Sequence, residues 1–337
     1  MSKFIEDSEY VTFDDVLIKP MFSTIKSRQE VDLSSDIGKT ALKLPIFSSN
    51  MDTVTEIEMC LAMKSAGGVG VLHRFCSIEQ NVKMYTLKAA VSCGLGEYEL
   101  KRAIELQKVG AQLIFMDVAH GAMQTVIDQM ALIRKNTDLQ VVVGNFASKE
   151  SVDEFLNRSE FMPDAIKVGV GPGSACTTRI KTGIGVPQLS AILECIEAAK
   201  GIPIIADGGM KTPGDIAKAL AAGASAVMLG GMLSGTDETP GDAFLTSDGL
   251  YKTYRGSASK EAYQDQGKND SWRAAEGESF SIPHKGSVKH ILQDIEGGLR
   301  SAFTYVGAQN LRLFQSNSIF IKVSNSSKVE NRAHGKN

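Results

Sequence analysis

The sequence predicts an α/β protein with the (β/α)8 fold, the TIM barrel, and three observations carry that prediction. Eight short runs rich in Val, Ile and Leu recur along the chain, and each is too short for a helix but typical of a buried parallel strand. Segments with helical periodicity separate these runs. Polar residues and glycines follow each run, at the strand ends where barrel enzymes place their active sites. A doubly wound open sheet is the alternative, but no G-x-G-x-x-G follows an early strand.

Strands and helices alternate along the chain. The predicted strands are Leu44–Ser48, Val69–Leu72, Ala89–Ser92, Leu113–Met116, Val141–Val143, Ala165–Val168, Ile202–Ala206 and Ala226–Leu229. The predicted helices between them are Glu56–Ala66, Glu97–Lys108, Met123–Arg134, Lys149–Leu156, Leu189–Ala199 and Thr212–Ala221. Pro213 favours the start of its helix, and Gly110, Gly201 and Gly223 favour helix ends. A further helix, Val288–Ala302, is expected to close the barrel.

We predict a single domain over residues 1–323, with a lead-in before the first barrel strand, and a polar C-terminal tail over residues 324–337. After the eighth strand the alternation stops, and Gly256–Glu276 is rich in Gln, Lys, Asp and Ser. Because long loops of this kind are often lids over active sites, we expect a mobile flap at about residues 256–285.

Composition and charge argue against several classes of function. The net charge of -3 gives no support for binding to nucleic acid or to a membrane surface. No apolar run reaches the length of a membrane-spanning helix, and the first residues lack the apolar core of a signal peptide. Five cysteines without paired spacing indicate reduced thiols, and therefore a cytoplasmic protein. The chain also lacks the Cys and His spacing of a zinc site.

The most informative stretch is Lys167–Gln188, in which a glycine-rich loop surrounds one cysteine, Cys176. The neighbours of this cysteine carry hydroxyls and one fixed positive charge: Ser174, Thr177, Thr178 and Arg179. A free thiol has a pKa of about 8.5, so a nucleophilic cysteine needs such polar surroundings. The alternative is a small buried hydrophobe, which describes most free cysteines. Cys60 and Cys195 fit that alternative because they fall on apolar helical faces.

Two strand ends predict a phosphate site. Asp207-Gly-Gly209 follows the seventh predicted strand, and Gly230-Gly231 follows the eighth. Barrel enzymes often bind a phosphate group there, through backbone N–H groups and a helix N-terminus. Turns also use glycines, but two pairs at these positions favour a phosphate site.

Several motifs resemble those of the IMP dehydrogenase/GMP reductase family. They follow the family's order along nearly the whole chain: Thr12–Pro20, Ser49–Val54, Gly171–Gln188, Asp207–Gly209 with Gly230-Gly231, and Tyr254–Gly256. The resemblance implies a barrel that usually assembles as a homotetramer and binds GMP or IMP. It also implies a cysteine that attacks C2 of the purine, and transfer of hydride between C2 and a nicotinamide cofactor.

Within the family, the sequence resembles the reductase branch more than the dehydrogenase branch. Only Phe75–Ala90 separates the second and third predicted strands, so the paired regulatory domain usual in the dehydrogenases is absent. The dehydrogenases hydrolyse their intermediate with an Arg-Tyr pair, and no such pair occurs in Ser257–Lys285. Trp272–Gly277 resembles the reductase pattern instead. This branch implies NADPH-dependent reductive deamination of GMP to IMP and ammonia through a cysteine thioimidate.

Three alternatives stay open on the sequence. They are a dehydrogenase without the regulatory insertion, a reductase of a modified guanine nucleotide, and a non-catalytic purine-nucleotide-binding barrel. Two positions also depart from the reductase pattern: Tyr254-Arg255 is closer to the dehydrogenases, and Ser257-Ala258 replaces a Met-Ser pair.

The resemblance assigns roles to individual residues. Cys176 would attack C2, while Thr178 and Glu276 would protonate the departing amine. Asp207 would bind the ribose hydroxyls, and Ser174 would contact the phosphate with the glycine turns. The residues implied for nucleotide binding are Ser174, Asp207, Gly208, Gly209, Gly230, Gly231, Gly256, Ser257, Ala258, Arg273 and Gly277. Those implied for NADPH are Ser27, Arg28, Arg74, Asp117, Val118, Ala119, Val170, Gly171, Trp272, Arg273, Ser301, Ala302, Phe303 and Thr304.

Two further assignments follow from the resemblance. Ser27 and Arg28 match positions that reach the cofactor of a neighbouring subunit, where an arginine suits a 2′-phosphate. On the residues alone, they also fit a solvated basic turn, and Asp117 also fits a strand-end turn. A monovalent cation such as K⁺ is implied at Gly171, Gly173, Cys176 and Arg179.

Overall fold

In the computed structural model, which describes residues 9–85, 89–267, 274–324 and 326–327, short elements precede the barrel. The lead-in strands are β1 (Val16–Ile18), β2 (Ser35–Ile37) and β3 (Thr40–Leu42). β2 and β3 form an antiparallel hairpin, and its buried Ile37 and Leu42 join the apolar cluster that fills the barrel. The hairpin also bonds to Gln140 at the start of a barrel strand, so it closes the N-terminal end of the barrel.

Eight parallel strands form the barrel, which confirms the predicted fold class. They are β4 (Ile46–Ser48), β5 (Val69–Gly70), β6 (Val91–Cys93), β7 (Leu113–Met116), β8 (Gln140–Phe146), β9 (Ala165–Val168), β10 (Ile204–Asp207) and β11 (Ala226–Leu229). The sheet order is β5-β4-β11-β10-β9-β8-β7-β6. A parallel bridge between Val71 and Ala90 joins the two outer strands of this order. β7, β9 and β11 have the predicted ends, whereas the ends of the other strands are shifted.

Helices follow most strands. They are α1 (Ile57–Ala66), α2 (Ile78–Met84), α3 (Glu97–Lys108), α4 (Gln124–Asn136), α5 (Lys149–Arg158), α6 (Thr178–Thr182), α7 (Gln188–Ala198) and α8 (Pro213–Ala221). All of them except α6, which is short and lies in the Cys176 loop, cover the outside of the barrel. The sequence did not predict α2 and α6. Pro213 occupies the first turn of α8 as predicted. Gly110, Gly201 and Gly223 follow their helices with positive φ, also as predicted.

The apolar core has two layers, because successive side chains of a strand point to opposite faces. Ala165 and Ile205 belong to the cluster inside the barrel. Their neighbours Ile166 and Ala206 belong to the larger cluster between the strands and the helices. Lys167 and Asp207 lie two residues after Ala165 and Ile205 and therefore face the interior, at its C-terminal end.

An antiparallel sheet follows the eighth barrel strand, and the sequence did not predict it. It consists of β12 (Phe244–Thr246), β13 (Gly249–Arg255) and β14 (Ser279–Pro283), and a helix α9 (Lys260–Asp265) lies between the last two strands. α9 and β14 both lie within the flap expected at about residues 256–285, where the sequence predicted no regular structure. Trp272 and Arg273 lie outside the described residues.

The chain ends in two helices and a strand: α10 (Val288–Val306), α11 (Leu311–Asn317) and β15 (Phe320–Lys322). α10 continues past the predicted end at Ala302. β15 pairs antiparallel with β1, so the end of the described chain returns to its beginning. Most of the predicted tail, residues 324–337, lies outside the described residues. Within the described part of the chain, none of the helices has the length and apolar character needed to cross a membrane.

Candidate active site

The predicted nucleophile and its two partners lie in one hydrogen-bonded row. The Sγ atom of Cys176 lies 3.1 Å from Oγ1 of Thr178. Thr178 Oγ1 donates its proton to Oε2 of Glu276 at 2.8 Å. Because a hydroxyl has a single proton, the thiol must be the donor in the contact between Cys176 and Thr178. The row can therefore carry a proton from the thiol to the Glu276 carboxylate.

Backbone pairing holds Glu276 next to the nucleophile loop. The N–H of Thr177 donates to the carbonyl of Glu276 at 2.8 Å, and the N–H of Glu278 donates to the carbonyl of Ala175 at 2.9 Å. These two bonds form a short antiparallel bridge between Cys176 and Gly277. Main-chain bonds thus fix the backbone of Glu276 beside the loop that carries Cys176.

A second segment, residues 256–259, completes this junction. The N–H of Glu276 donates to the carbonyl of Ala258 at 3.0 Å. A Cβ atom on Gly277 would lie 3.0 Å from the nitrogen of Ser259, and one on Gly256 would lie 2.9 Å from the carbonyl oxygen of Ala175. Only glycine allows this approach of three backbones. Gly256, Ala258 and Gly277, which the resemblance assigns to nucleotide binding, therefore meet beside the loop that carries Cys176.

Arg179 fixes the shape of the nucleophile loop. Its Nη2 atom donates to the carbonyl of Val186 at 2.6 Å, and its Nε atom donates to the carbonyl of Val170 at 3.4 Å. A Cβ atom on Gly171 or Gly185 would lie 2.6 Å from the Arg179 side chain. These two glycines make room for the arginine.

The other cysteines have different surroundings. Burial raises the pKa of Cys60 and of Cys195 to about 12, and it raises the pKa of Cys93 further. Cys76 is half-buried, and burial raises its pKa as well. Such thiols stay protonated near neutral pH and do not act as nucleophiles. Cys176, by contrast, is partly exposed and bonds to a hydroxyl.

The predicted phosphate contacts converge. Ser174 Oγ lies 3.4 Å from the Tyr254 hydroxyl, and a Cβ atom on Gly231 would lie 2.6 Å from Ser174 Oγ. A Cβ atom on Gly208 would lie 3.2 Å from the nitrogen of Gly173 in the nucleophile loop. The turns after β10 and β11 therefore meet the nucleophile loop.

Tyr254 is a site residue that the sequence interpretation did not assign. Its side chain is buried next to Gly230 and Ser174, and burial raises its pKa. A neutral phenol in this place can donate a hydrogen bond to an anion. In the sequence, the motif Tyr254-Arg255-Gly256 could have indicated that Tyr254 lies at the site.

Asp207 is paired more closely than the sequence indicated. Its Oδ2 atom accepts from Lys167 Nζ at 2.5 Å and from Asn145 Nδ2 at 3.0 Å. Neither donor was predicted as part of the site. Lys167 lies in β9, whose four residues are all buried. Because the sequence of this segment is typical of an apolar strand, its lysine was given no role.

One group of predicted cofactor residues lies at the C-terminal strand ends. Arg74 Nε donates to Asp117 Oδ2 at 3.1 Å, and Arg74 Nη2 donates to the Asp117 carbonyl at 3.2 Å. The next residue, Val118, accepts from the N–H of Asn145 at 3.3 Å. The carboxylate of Asp117 thus has a fixed partner, and the predicted residues Val118, Ala119, Val170 and Gly171 follow β7 and β9 on the same face.

A second group lies away from Cys176. Arg28 begins a short 3-10 helix capped by Ser27, and its carbonyl accepts from Arg300 of α10 at 3.3 Å. Ser301 and Ala302 follow in the same helix as Arg300. The start of α10 is held by Glu238 in the region after β11, and Ser301 lies about 20 Å further along the helix axis. This group therefore lies toward the end of α10 that is remote from its contact with Glu238.

Phe303 does not fit its predicted role. Its side chain is fully buried and stacks on Phe314, with ring centroids 4.0 Å apart. A cofactor on the surface cannot contact this ring, so the assignment of its side chain is wrong. The hydroxyl of Thr304 donates to the carbonyl of Arg300 within the helix.

Together, the fold and this face define a class of protein: a (β/α)8-barrel enzyme with a partly exposed cysteine and two glycine turns at the C-terminal strand ends. The domain model of the IMP dehydrogenase/GMP reductase family matches residues 10–334. The chain belongs to this family, and it is an oxidoreductase.

Relatives from both branches resemble the chain over nearly its full length. GMP reductase of Vibrio vulnificus (strain YJ016) is 37% identical over 350 residues, covering 98% of this chain and 99% of that protein. Human GMP reductase 1 is 39% identical over 329 residues, covering 93% and 94%. Inosine-5′-monophosphate dehydrogenase of Cryptosporidium parvum is 33% identical over 382 residues, covering 96% and 94%.

A solved structure has the same fold. It is a cysteine-to-alanine variant of GMP reductase from Trypanosoma brucei in complex with guanosine 5′-monophosphate. The TM-score is 0.93 at 27% sequence identity, and the match covers 98% of this chain and 99% of that one.

Proposed function

We propose that this chain is a GMP reductase, which converts GMP, NADPH and two protons to IMP, NADP⁺ and ammonium. The observation that carries the proposal is the row Cys176–Thr178–Glu276, with contacts of 3.1 and 2.8 Å. Such a row suits a reaction that needs both a thiolate and an acid for a departing amine. The full-length similarity to GMP reductases supports the same conclusion.

In the first half of the reaction, the row Cys176–Thr178–Glu276 transfers one proton in two steps. The thiol proton of Cys176 passes through Thr178 to Glu276, and the thiolate attacks C2 of the guanine. The protonated Glu276 then gives the proton to the amino group at C2. The bond between C2 and nitrogen breaks, ammonia leaves, and a thioimidate remains on Cys176. General acid help of this kind is commonly worth ~10²–10⁴-fold in rate.

Other residues hold the nucleotide during these steps. Ser174, Tyr254 and the glycine turns at 208–209 and 230–231 surround one space that suits a phosphate group. Asp207 offers a carboxylate to the ribose hydroxyls. The backbone junction at Gly277 keeps Glu276 on the same side of the nucleotide as Cys176.

The described residues that follow β5 and β7 fit a nicotinamide cofactor. Arg74 and Asp117 form a fixed polar pair, and the backbone of Val118 lies beside it. When bound, NADPH supplies the hydride that reduces C2 and releases IMP. Trp272 and Arg273 are expected to line the same space.

The dehydrogenase is the second candidate, because its relatives also match the chain. It would need a positioned base for the water that hydrolyses the thioimidate. The sequence has no Arg-Tyr pair in residues 257–285 to serve as that base. A reductase of a modified guanine nucleotide uses the same residues and differs only in its substrate.

The second cofactor group favours an oligomer, with a homotetramer as the family expectation. Because Arg28 contacts α10 next to Ser301, about 20 Å along this helix from its start, we propose that both residues complete the site of a neighbouring copy. An arginine beside the 2′-phosphate is worth roughly ten- to a hundred-fold in affinity. Arg28→Ala is expected to raise KM for NADPH by that factor and leave KM for GMP unchanged. Equal use of NADH and NADPH by the native enzyme would contradict this placement.

The implied monovalent cation fits the loop less well. The carbonyl of Gly173 accepts from the N–H of Cys176 at 3.0 Å, and the carbonyl of Arg179 accepts from the N–H of Gly183 at 3.1 Å. The Arg179 guanidinium already supplies a fixed positive charge to the loop carbonyls. No step of the reaction is assigned to a cation. The five free thiols support the proposal of a cytoplasmic enzyme.

One assay tests the function. Purified protein with GMP and NADPH should consume NADPH and release one equivalent of ammonia. NAD⁺ reduction with IMP would support the dehydrogenase, and no turnover with either nucleotide would support a binding protein. A guanine-modified nucleotide with a higher kcat/KM than GMP would change the substrate but keep the mechanism.

A further inference from the structure

A buried ion pair caps the apolar interior of the barrel, and the proposed reaction gives its lysine no role. Lys167 is only 4% exposed, and its Nζ atom lies 2.5 Å from Oδ2 of Asp207. The interior residues directly below, Ala165 and Ile205, are apolar. Burying a charged group in such surroundings costs free energy unless the group is paired. A function should therefore explain why an ion pair lies here.

The surroundings of Lys167 make room for it. A Cβ atom on Gly144, in the neighbouring strand, would lie 2.7 Å from Cβ of Lys167 and 2.8 Å from its carbonyl oxygen. Any larger residue at this position would collide with the lysine. The residue after this glycine, Asn145, donates from Nδ2 to Asp207 Oδ2 at 3.0 Å and to the carbonyl of Gly169 at 2.7 Å. The ends of β8, β9 and β10 thus converge on one carboxylate.

Both side-chain donors reach the same oxygen of that carboxylate, Oδ2. The main chain of Asp207 is held as well, because Gln188 Nε2 donates to its carbonyl at 3.1 Å. The carboxylate therefore cannot turn freely, and Oδ1 is the oxygen that it offers to a ligand. From the open side only the aspartate is reachable, since its side chain is 19% exposed and that of Lys167 is 5% exposed.

We infer that Lys167 is a positioning residue for recognition of the ribose. Together with Asn145 it holds Asp207 so that Oδ1 accepts a hydrogen bond from a ribose hydroxyl. This inference rests on the proposed function, in which Asp207 binds the ribose of GMP. Lys167 does not touch the nucleotide. A fixed acceptor that loses its partner hydroxyl is left unpaired, so the site discriminates against deoxyribose.

The test compares kcat/KM for GMP, 2′-deoxy-GMP and 3′-deoxy-GMP. The native enzyme should prefer GMP over at least one deoxy analogue by roughly ten- to a hundred-fold. Lys167→Met should remove most of this preference, mainly by raising KM for GMP. Lys167→Arg, which keeps a charged donor, should restore part of the preference. Asn145→Ala should reduce the preference less than Lys167→Met does.

Lys252 provides a matched control. It is also 4% exposed, and its Nζ atom donates to the carbonyls of Thr236 and Thr239 outside the site. Lys252→Met should lower the melting temperature, as loss of any buried lysine bond does, and keep the preference for GMP. If the role of Lys167 is purely structural, Lys167→Met should likewise lower the melting temperature and keep the preference for GMP.

The outcomes separate the inference from the proposed function. If Lys167→Met keeps the native preference, the positioning role is wrong, although Asp207 can still bind ribose. If the native enzyme accepts all three nucleotides equally, Asp207 does not recognise the ribose and the inference fails with it. Turnover of GMP itself tests the proposed function in either case. Should Lys167→Met not fold, an unchanged preference in Asn145→Ala would overturn the inference, because that variant also removes a donor to Asp207 Oδ2.

Discussion

The same residue types have different roles in two regions of the barrel: the wall, formed by the strands and the outer helices, and the C-terminal face, formed by the loops that carry the candidate site. In the wall, Cys195 packs in an apolar helix face, and burial raises its pKa to about 12. On the face, Cys176 lies in a polar loop and bonds to a hydroxyl. The difference shows that the position in the fold, more than the residue type, determines whether a thiol reacts.

Glycines show the same contrast. Gly297 lies on the exposed side of α10, and a Cβ atom there would meet nothing within 4 Å. A Cβ atom on Gly277 would press on the backbone of three residues at the junction that holds Glu276. Gly297 can therefore accept a side chain that Gly277 cannot. Four predictions test this contrast, from the largest expected effect to the smallest.

The largest effect is expected at the two cysteines. Cys176→Ala should fold and bind GMP but lose at least ~10³-fold in kcat, because no other group supplies the covalent route. Cys195→Ala should keep kcat and lose on the order of 1 kcal/mol of unfolding free energy to the small cavity. Steady-state kinetics and chemical denaturation measure the two quantities. A Cys176→Ala enzyme with more than about a tenth of native turnover would rule out the covalent mechanism.

The second largest effect is expected when the row Cys176–Thr178–Glu276 is interrupted. Glu276→Gln or Thr178→Ala should slow ammonia release by roughly 10²-fold or more, because each breaks the path to the departing amine. Hydride transfer should be affected less, since in that half of the reaction the row only ionises the thiol and no amine departs. The measurement is NADPH formation from IMP and NADP⁺, compared with the complete reaction. Equal losses in both assays would contradict the division of labour between the row and the cofactor.

A smaller effect is expected at the junction. Gly277→Ala should lower kcat by roughly ten- to a hundred-fold, because a shift of the backbone moves Glu276 away from Cys176. Gly297→Ala is the control and should stabilise α10 by about 0.5–1 kcal/mol without changing kcat. Kinetics and thermal unfolding of both variants test the pair. If the junction variant keeps native kcat, the close approach of the three backbones does not position the acid.

The sequence predicted what local patterns determine. Apolar runs located the eight barrel strands, and the composition of one loop identified Cys176. The pairing of β1 with β15 was not predictable, because it joins residues about 300 positions apart with no local signal. Lys167 was missed because its charge is hidden inside a buried strand, where only the pairing with Asp207 explains it. Tyr254 lay in a recognised motif, but its contact with Ser174 depends on the unpredicted strand β13.

The smallest effect concerns the wall thiols at alkaline pH. Cys60 and Cys195 have pKa values of about 12 in the folded chain, compared with about 9 when unfolded. A folded pKa above the unfolded one means that the stability is complete below pH ~9 and is lost as the pH rises toward 12. Between pH 7 and pH 10, each such thiol should cost on the order of 1 kcal/mol. Chemical denaturation at both pH values should therefore show that the free energy of unfolding falls less between pH 7 and pH 10 for Cys195→Ala than for the native chain. Tyrosines and lysines titrate alike in both proteins, so the difference isolates the thiol. Identical losses would mean that Cys195 ionises as easily in the folded wall as in water, and the contrast with the face would then not rest on burial.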